Sequence, residues 1–434
     1  MAQTDPTRNT KEDEPSSSCS QRFALPTILV ALGWISLLSL VSPIVWFVQD
    51  AAAIAFGVEP PVWPAVLANL GQAVLWLLPL LLATLWWRAR SPRHAAVLET
   101  WALAALMPLA WLPLRFFAPS VRPEMALTSA ALQFGGLTLF YLLLRWWKKK
   151  RGLPDLPPRR TWLPALLVSA LLMAGWWYAG AFGSPVDLLL QLLLGLYFGH
   201  VVGFLLGHFL LRPLYETSAG SGRDLALGSR GIAGVLMIAG ASLGFGGQST
   251  LLLLVLPSIA WPLMGSLRLG REPDGRSWGS VALTIGLVTA AMLVSFDVDE
   301  LTLLLLDSQE LYAQLLFASL ITILVGRALG TILWLARTKL PQLKLGLLVQ
   351  VATALVWAGV VALLVLKPNA GFHRDQLFAI LSDQADVSDA AEIADIDQRR
   401  QYVYARLTGH ANETQAALRR RLARLRFDYQ PYYL

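Results

Sequence analysis

The sequence predicts an all-α polytopic membrane protein with a small α/β tail, on three observations. Of 434 residues, 56% are hydrophobic and only 15% charged, and the mean hydropathy is +0.54; soluble domains carry roughly 25% charged residues. Apolar runs near the ~20 residues that a helix needs to cross a bilayer recur from residue 23 to residue 366. Many of the 17 Trp residues lie near the ends of those runs, as the amphipathic indole does at a lipid–water boundary.

In chain order, residues 1–22 are polar, Ser-rich and mixed in charge, which predicts a disordered cytoplasmic tail. No cleavable signal peptide is evident, and the first apolar run is long enough to remain as a signal anchor. Residues 23–366 form the multi-pass domain, with about eleven spans at 23–48, 64–87, 95–117, 125–147, 161–182, 188–211, 231–246, 249–265, 278–296, 311–336 and 345–366. The seventh and eighth are short and separated by Gly246-Gly247-Gln248-Ser249, so a helical hairpin and a re-entrant pair are both open, and nine spans fit nearly as well as eleven. Pro113, Pro164, Pro257 and Pro262 fall within spans and predict kinks.

Loop charges set the orientation, because Lys and Arg are retained on the cytoplasmic side. With residue 1 inside, the inner loops hold 19 basic residues and the outer loops only Arg115 and Arg122. The same bias accounts for the net charge of +7 and removes the need for a nucleic-acid partner. An odd span count places the tail from Lys367 outside the cytoplasm, and the basic-free acids Asp297, Asp299, Glu300, Asp307 and Glu310 of the last outer loop agree with that.

Within the sixth span, Gly195, Gly199, Gly203 and Gly207 recur every four residues and line one slightly drifting face. A face without side chains lets another helix approach closely, so it predicts helix packing, or else a moving or substrate-lining helix. Gly240/Gly244 and Gly326/Gly330 repeat the spacing. His200 and His208 lie two turns apart on the sixth span, as polar intramembrane groups that could hydrogen-bond or relay protons. Glu99 and Arg327 lie towards the ends of their runs and are open to pairing with each other.

No catalytic, metal or cofactor residues are predicted. The chain lacks GxxxxGK[ST], GxSxG, HExxH and a GxGxxG between strand and helix. Its one cysteine, Cys19, excludes a disulfide framework.

Residues 367–434 differ in composition. Leu377-Phe378-Ala379-Ile380-Leu381 predicts a short strand, residues 382–397 are polar and acidic, and residues 398–426 predict one helix. Val403, Leu407, Ala411, Leu418, Leu422 and Leu425 make its apolar face, with arginines mostly on other faces. Such a basic amphipathic helix suits either a small sheet or a lipid surface. Residues 427–434 begin a second strand.

This tail resembles the N-terminal propeptide of bacterial subtilisin-like serine proteases. The likeness rests on Gln384, Ala385 and Asp386, then Arg400, Val403, Tyr404, Leu407, Ala411, Thr414, Gln415, Leu418 and Leu422, then Tyr429, Pro431, Tyr432 and Tyr433. It covers about a seventh of the chain. The resemblance implies a ferredoxin-like α/β module, here incomplete, that assists folding of a protease and blocks its active site. The Asp, His and Ser catalytic segments are absent from residues 1–434, so it also implies a reading frame that continues into them. Two functions are then expected. One is a bacterial plasma-membrane module that anchors or regulates an extracytoplasmic subtilisin-like catalytic domain in cis or in trans. The other is a transporter, flippase-like protein or sensor with a small appendage.

Overall fold

A computed structural model describes residues 17–40, 62–110, 126–155, 162–176, 185–216, 222–243, 247–269, 277–295, 309–339, 346–366, 381, 383–426 and 429–431. It divides into two compact units, Met1–Arg374 and Asp375–Leu434.

Every apolar run of the first unit is wholly or partly helical. The helices are α1 (Ser17–Ser39), α2 (Val62–Arg88), α3 (Pro92–Ala104), α4 (Met107–Ala110), α5 (Ala126–Lys150), α6 (Trp162–Met173) and α7 (Pro185–Leu205). A π-helical turn, Leu206–Leu211, joins α7 to α8 (Arg212–Glu216). Then follow α9 (Gly222–Ser242), α10 (Gly247–Val255), α11 (Ala260–Leu269), α12 (Trp278–Val294), α13 (Gln309–Lys339) and α14 (Gly346–Leu366). Among the described residues, three helical stretches are long and apolar enough to cross a membrane: Leu70–Arg88, Leu189–Tyr215 and Leu316–Ala336. Shorter apolar helices occur at Leu25–Ser39, Trp162–Met173, Ala226–Ser242, Leu251–Leu267, Trp278–Val294 and Gln350–Gly359.

Several boundaries differ from the sequence expectation. The third run is interrupted at Ala105-Leu106, where α3 gives way to the short α4. The seventh and eighth runs form a packed hairpin. A Cβ on Gly240 of α9 would lie 2.9 Å from the Leu252 carbonyl oxygen of α10, so only glycine admits that approach. The eighth continues through a 3-10 turn at Leu256–Ile259, which contains Pro257, and Pro262 lies in the first turn of α11. Pro164 lies in the first turn of α6, where its missing N–H has no helical partner to lose and no kink is required. Pro113 lies outside the described residues.

The core of this unit is one continuous apolar cluster, with Trp76, Trp101, Trp176, Phe140 and Phe198 almost wholly buried. Trp101 of α3 donates its indole N–H to the Gly231 carbonyl of α9 at 2.7 Å. A Cβ on Gly234 would lie 2.4 Å from that ring, so the absent side chain makes room for the indole. The outward faces are as apolar as the core. Leu78, Leu82, Leu85 and Trp86 on α2 and Leu316, Phe317, Leu320, Leu324 and Ile332 on α13 are all exposed. Exposed apolar faces this extensive suit a lipid or protein environment and not water.

In the second unit, α15 (Ile396–Thr414) and α16 (Ala416–Arg424) follow a 3-10 turn at Ser388–Glu392. The expected single helix is therefore two, separated at Gln415. Thr414 donates its hydroxyl to the His410 carbonyl at 2.9 Å, a back-bond that favours bending at that point. No strand is present among the described residues. Of the expected strands, 377–380, 427–428 and 432–434 lie outside them, and 429–431 has no regular structure.

Candidate functional site at the α5–α7–α12 junction

The glycine face of α7 meets α12. Cβ atoms would come 2.4 Å from Ala290 Cα at Gly195, 2.3 Å from Gly286 N at Gly199, and 2.6 Å from Ala282 Cβ at Gly203. The chains run antiparallel here, since rising numbers on α7 meet falling numbers on α12. Ala282, Gly286 and Ala290 are themselves spaced by four, so two small-residue faces lie backbone to backbone. Gly207 is buried in the π-helical turn, beyond the paired segment. The partner face carries its own sequence signal in the ninth span, which the glycine spacing of the sixth span alone does not point to.

Beside this contact, aromatic and titratable side chains from α5, α7 and α12 assemble. His200 stands 5.4 Å, ring to ring, from both Tyr141 of α5 and Trp278 of α12, and 6.4 Å from Tyr197. The Tyr197 hydroxyl is 3.0 Å from that of Thr138. His208, in the π-helical turn, is only 2% exposed, and its Nδ1 lies 3.1 Å from the Phe204 carbonyl oxygen. Its ring packs 4.3 Å from Phe204 and 6.3 Å from Trp278. A π-helical turn often marks a functional position within a long helix.

The carboxyl end of α5 places charges against this cluster. Gly152, with φ +62°, lets Leu153 N–H reach the Lys148 carbonyl at 3.2 Å and Gly152 N–H reach the Lys149 carbonyl at 3.0 Å. That pair of bonds ends the helix and turns the chain back. Asp155 thereby meets Lys148, which is 8% exposed, and forms an ion pair with it. The Lys148 hydrogen bond and charge hold the exposed Asp155 carboxyl below the usual carboxylate range. Lys148 Nζ also lies 5.7 Å from the Phe204 ring. Arg151 pairs with Glu99 at 2.5 Å and lies 5.4 Å from the Trp147 ring.

Glu99 is thus ion-paired with Arg151, and the pairing with Arg327 that the sequence left open does not form. Arg327 lies on the exposed face of α13, between Leu324 and Ile332. Lys148 and Arg151, counted from the sequence as orientation signals, are also structural partners. On the other small-residue pairs, a Cβ at Gly326 would meet the Ser258 carbonyl at 3.0 Å and one at Gly330 the Trp261 ring at 2.1 Å. Gly244 lies outside the described residues. No group of three or more His, Cys, Asp or Glu side chains suited to a metal occurs among the described residues.

In the second unit, the resemblance-bearing residues separate into two sets. Asp386 accepts the Ser388 N–H at 2.9 Å, which opens the 3-10 turn and lowers the Asp386 pKa. Gln384 donates to the Leu381 carbonyl at 2.5 Å, and Gln415 Oε1 accepts from Arg419 at 2.8 Å. Arg406 donates to the Asp386 carbonyl at 3.5 Å, and His410 lies 3.4 Å from the Asp383 carboxylate. Val403, Leu407, Ala411, Leu418, Leu422 and Pro431 are half-buried. By contrast, Tyr404 is 69% and Tyr429 45% exposed, and Arg400 makes only an exposed contact with Asp397 at 3.7 Å. Tyr432 and Tyr433 lie outside the described residues.

No protein-family model, curated protein or solved structure matches this chain.

Proposed function

We propose that this chain is a multi-pass bacterial plasma-membrane module, amino terminus inside, that presents a propeptide-like tail outside the cytoplasm. The tail binds a subtilisin-like serine protease domain, in cis or in trans, and the membrane module anchors or regulates it. The observation that carries this reading is the division of labour within the tail. It is a compact unit by itself. Asp386 and Gln415 make hydrogen bonds within it and Val403, Leu407, Leu418 and Leu422 are half-buried, while Tyr404 and Tyr429 are exposed. Exposed tyrosines are well suited to anchor a protein contact.

The alternating course of the runs, in either orientation, has support in the side-chain contacts of the first unit. Glu99–Arg151 joins residues that loop charge places at the inner side, and Ser295 Oγ to the Trp176 carbonyl joins residues placed towards the outer side.

The test uses the full chain in nanodiscs, titrated into a purified subtilisin-like catalytic domain. Inhibition that Tyr404→Ala and Tyr429→Ala each weaken by about tenfold or more is expected for anchor residues. Absence of inhibition at tens of micromolar chain, on the order of −6 kcal/mol, would sink the reading.

A second reading, a transporter or sensor, draws on the π-helical turn and the buried His208 beside Lys148. Its test is a pH-dependent change in Trp278 environment in the parent protein that His208→Gln abolishes; a response identical in the two proteins removes that support.

A further inference from the structure

The arginines of α16 stand apart from the rest of the tail's charge. Residues 375–397 contain seven acidic side chains and no basic one, whereas residues 398–426 contain eight arginines and one acid, Glu413. The two blocks meet along α15, where Arg399 donates to the Ile393 carbonyl, Arg400 contacts Asp397, Arg406 reaches the Asp386 carbonyl and His410 lies beside Asp383. Arg419 is held by Asn412 and Gln415. Arg420, Arg421, Arg424 and Arg426 are all exposed, and no ion pair among the described residues involves them.

Beside them stands an apolar group that the unit leaves uncovered. No residue of α16 is buried, and Leu425, one turn beyond Arg421, is 58% exposed. At 100° per residue, Leu425 extends the side that carries the half-buried Leu418 and Leu422, and it is flanked by the exposed Arg421 and Arg426. Long cationic side chains flanking an exposed apolar one let it enter the headgroup boundary while the guanidinium groups stay at phosphate level. Basic residues in the last turn also favour the helix dipole, but that effect does not call for an exposed leucine at the same place.

We propose that the end of α16, with Arg421, Arg424, Arg426 and Leu425, binds an anionic phospholipid surface. Charge complementarity selects this occupant, and so does covalent reach. Only 14 residues separate Leu366, the last residue of the strongly apolar α14, from Leu381. Fully extended, they span at most about 50 Å. The tail is therefore held at high effective concentration against any bilayer that α14 enters. The inference rests on the membrane reading above and adds a second role for the tail, which keeps whatever Tyr404 and Tyr429 bind close to the headgroups.

The experiment uses the full chain with Cys19→Ser and a nitroxide on Gln430→Cys, in nanodiscs of phosphatidylcholine alone or with phosphatidylglycerol. Accessibility to oxygen and to a water-soluble nickel complex reports whether the label sits at the membrane. Membrane-like accessibility that appears with phosphatidylglycerol and falls with added salt is the expected result. It should be lost in R421E/R424E/R426E, each arginine being worth about fivefold in binding to an anionic surface, and weakened in L425E. Unchanged helicity by circular dichroism shows that the variants fold. Water-like accessibility in every lipid overturns the proposal. So does a label that becomes shielded only when a subtilisin-like catalytic domain is added, because the end of α16 then belongs to a protein contact. Protease inhibition is measured separately, so failure of lipid binding and failure of the propeptide reading are distinguishable.

Discussion

Replacing Gly199 by Ala probes the backbone-to-backbone contact between α7 and α12. The added methyl would lie 2.3 Å from Gly286 N, 2.4 Å from the Ala282 carbonyl oxygen and 2.4 Å from Gly286 Cα. All three neighbours are backbone, so no rotamer change relieves the clash. Carbon contacts are comfortable at about 3.5–4.0 Å, so α7 and α12 must part locally by roughly 1.2 Å. Overpacking costs about 1–3 kcal/mol, and parting this pair also loosens the contacts at Gly195 and Gly203. A cost of about 3 kcal/mol, offset by about 1 kcal/mol of helix propensity, leaves a net loss of about 2 kcal/mol. Gly71→Ala in α2 is the control, since its Cβ would meet nothing within 4 Å. It should be neutral or gain up to about 1 kcal/mol. The assay is unfolding in mixed micelles with increasing dodecyl sulfate, followed by Trp fluorescence. Equal stability of the two variants would refute the backbone-to-backbone contact.

Three further outcomes are expected. Trp101→Phe removes the indole N–H that the Gly231 carbonyl accepts and should cost about 0.5–1.5 kcal/mol in the same unfolding assay, since that carbonyl keeps its partner within α9. Asp155 has a carboxyl pKa lowered by Lys148, so its stabilisation is present above the unfolded-state carboxylate pKa and is lost as pH falls through the folded value. Asp155→Asn should remove that acid-side dependence, read as the slope of stability against pH below neutrality. Asp395 caps α15 by accepting from the Asp397 and Gln398 N–H groups, so Asp395→Ala should lower tail stability by about 1 kcal/mol, measured by hydrogen exchange of α15 amides in the full chain.

Helix placement was legible wherever apolar runs were long, because membrane-spanning lengths leave few alternative conformations for the backbone. The α7 glycines announced a close contact, and four-residue spacing also marked their partners Ala282, Gly286 and Ala290. What sequence spacing could not supply was the pairing itself, which depends on non-local packing. The π-helical turn at Leu206–Leu211 was illegible for a similar reason: an extra residue in a helical turn leaves no compositional trace. Lys148 and Arg151 resembled ordinary loop charges. Their roles follow from Gly152, whose positive φ turns the chain so that Asp155 meets Lys148, and from α3, which brings Glu99 to Arg151. In the tail, apolar spacing found the helical face, while the hydroxyl back-bond at Thr414 and the turn at Gln415 divided the helix in two.

A membrane module that presents its tail outside the cytoplasm is the centre of the functional proposal. Paired fusions after Pro368, one to a phosphatase active only outside and one to a fluorescent protein that matures only inside, test it most directly. An active phosphatase and a dark fluorescent fusion are predicted. A bright fluorescent fusion with silent phosphatase would place the tail in the cytoplasm and contradict both the orientation and the protease-binding role built on it.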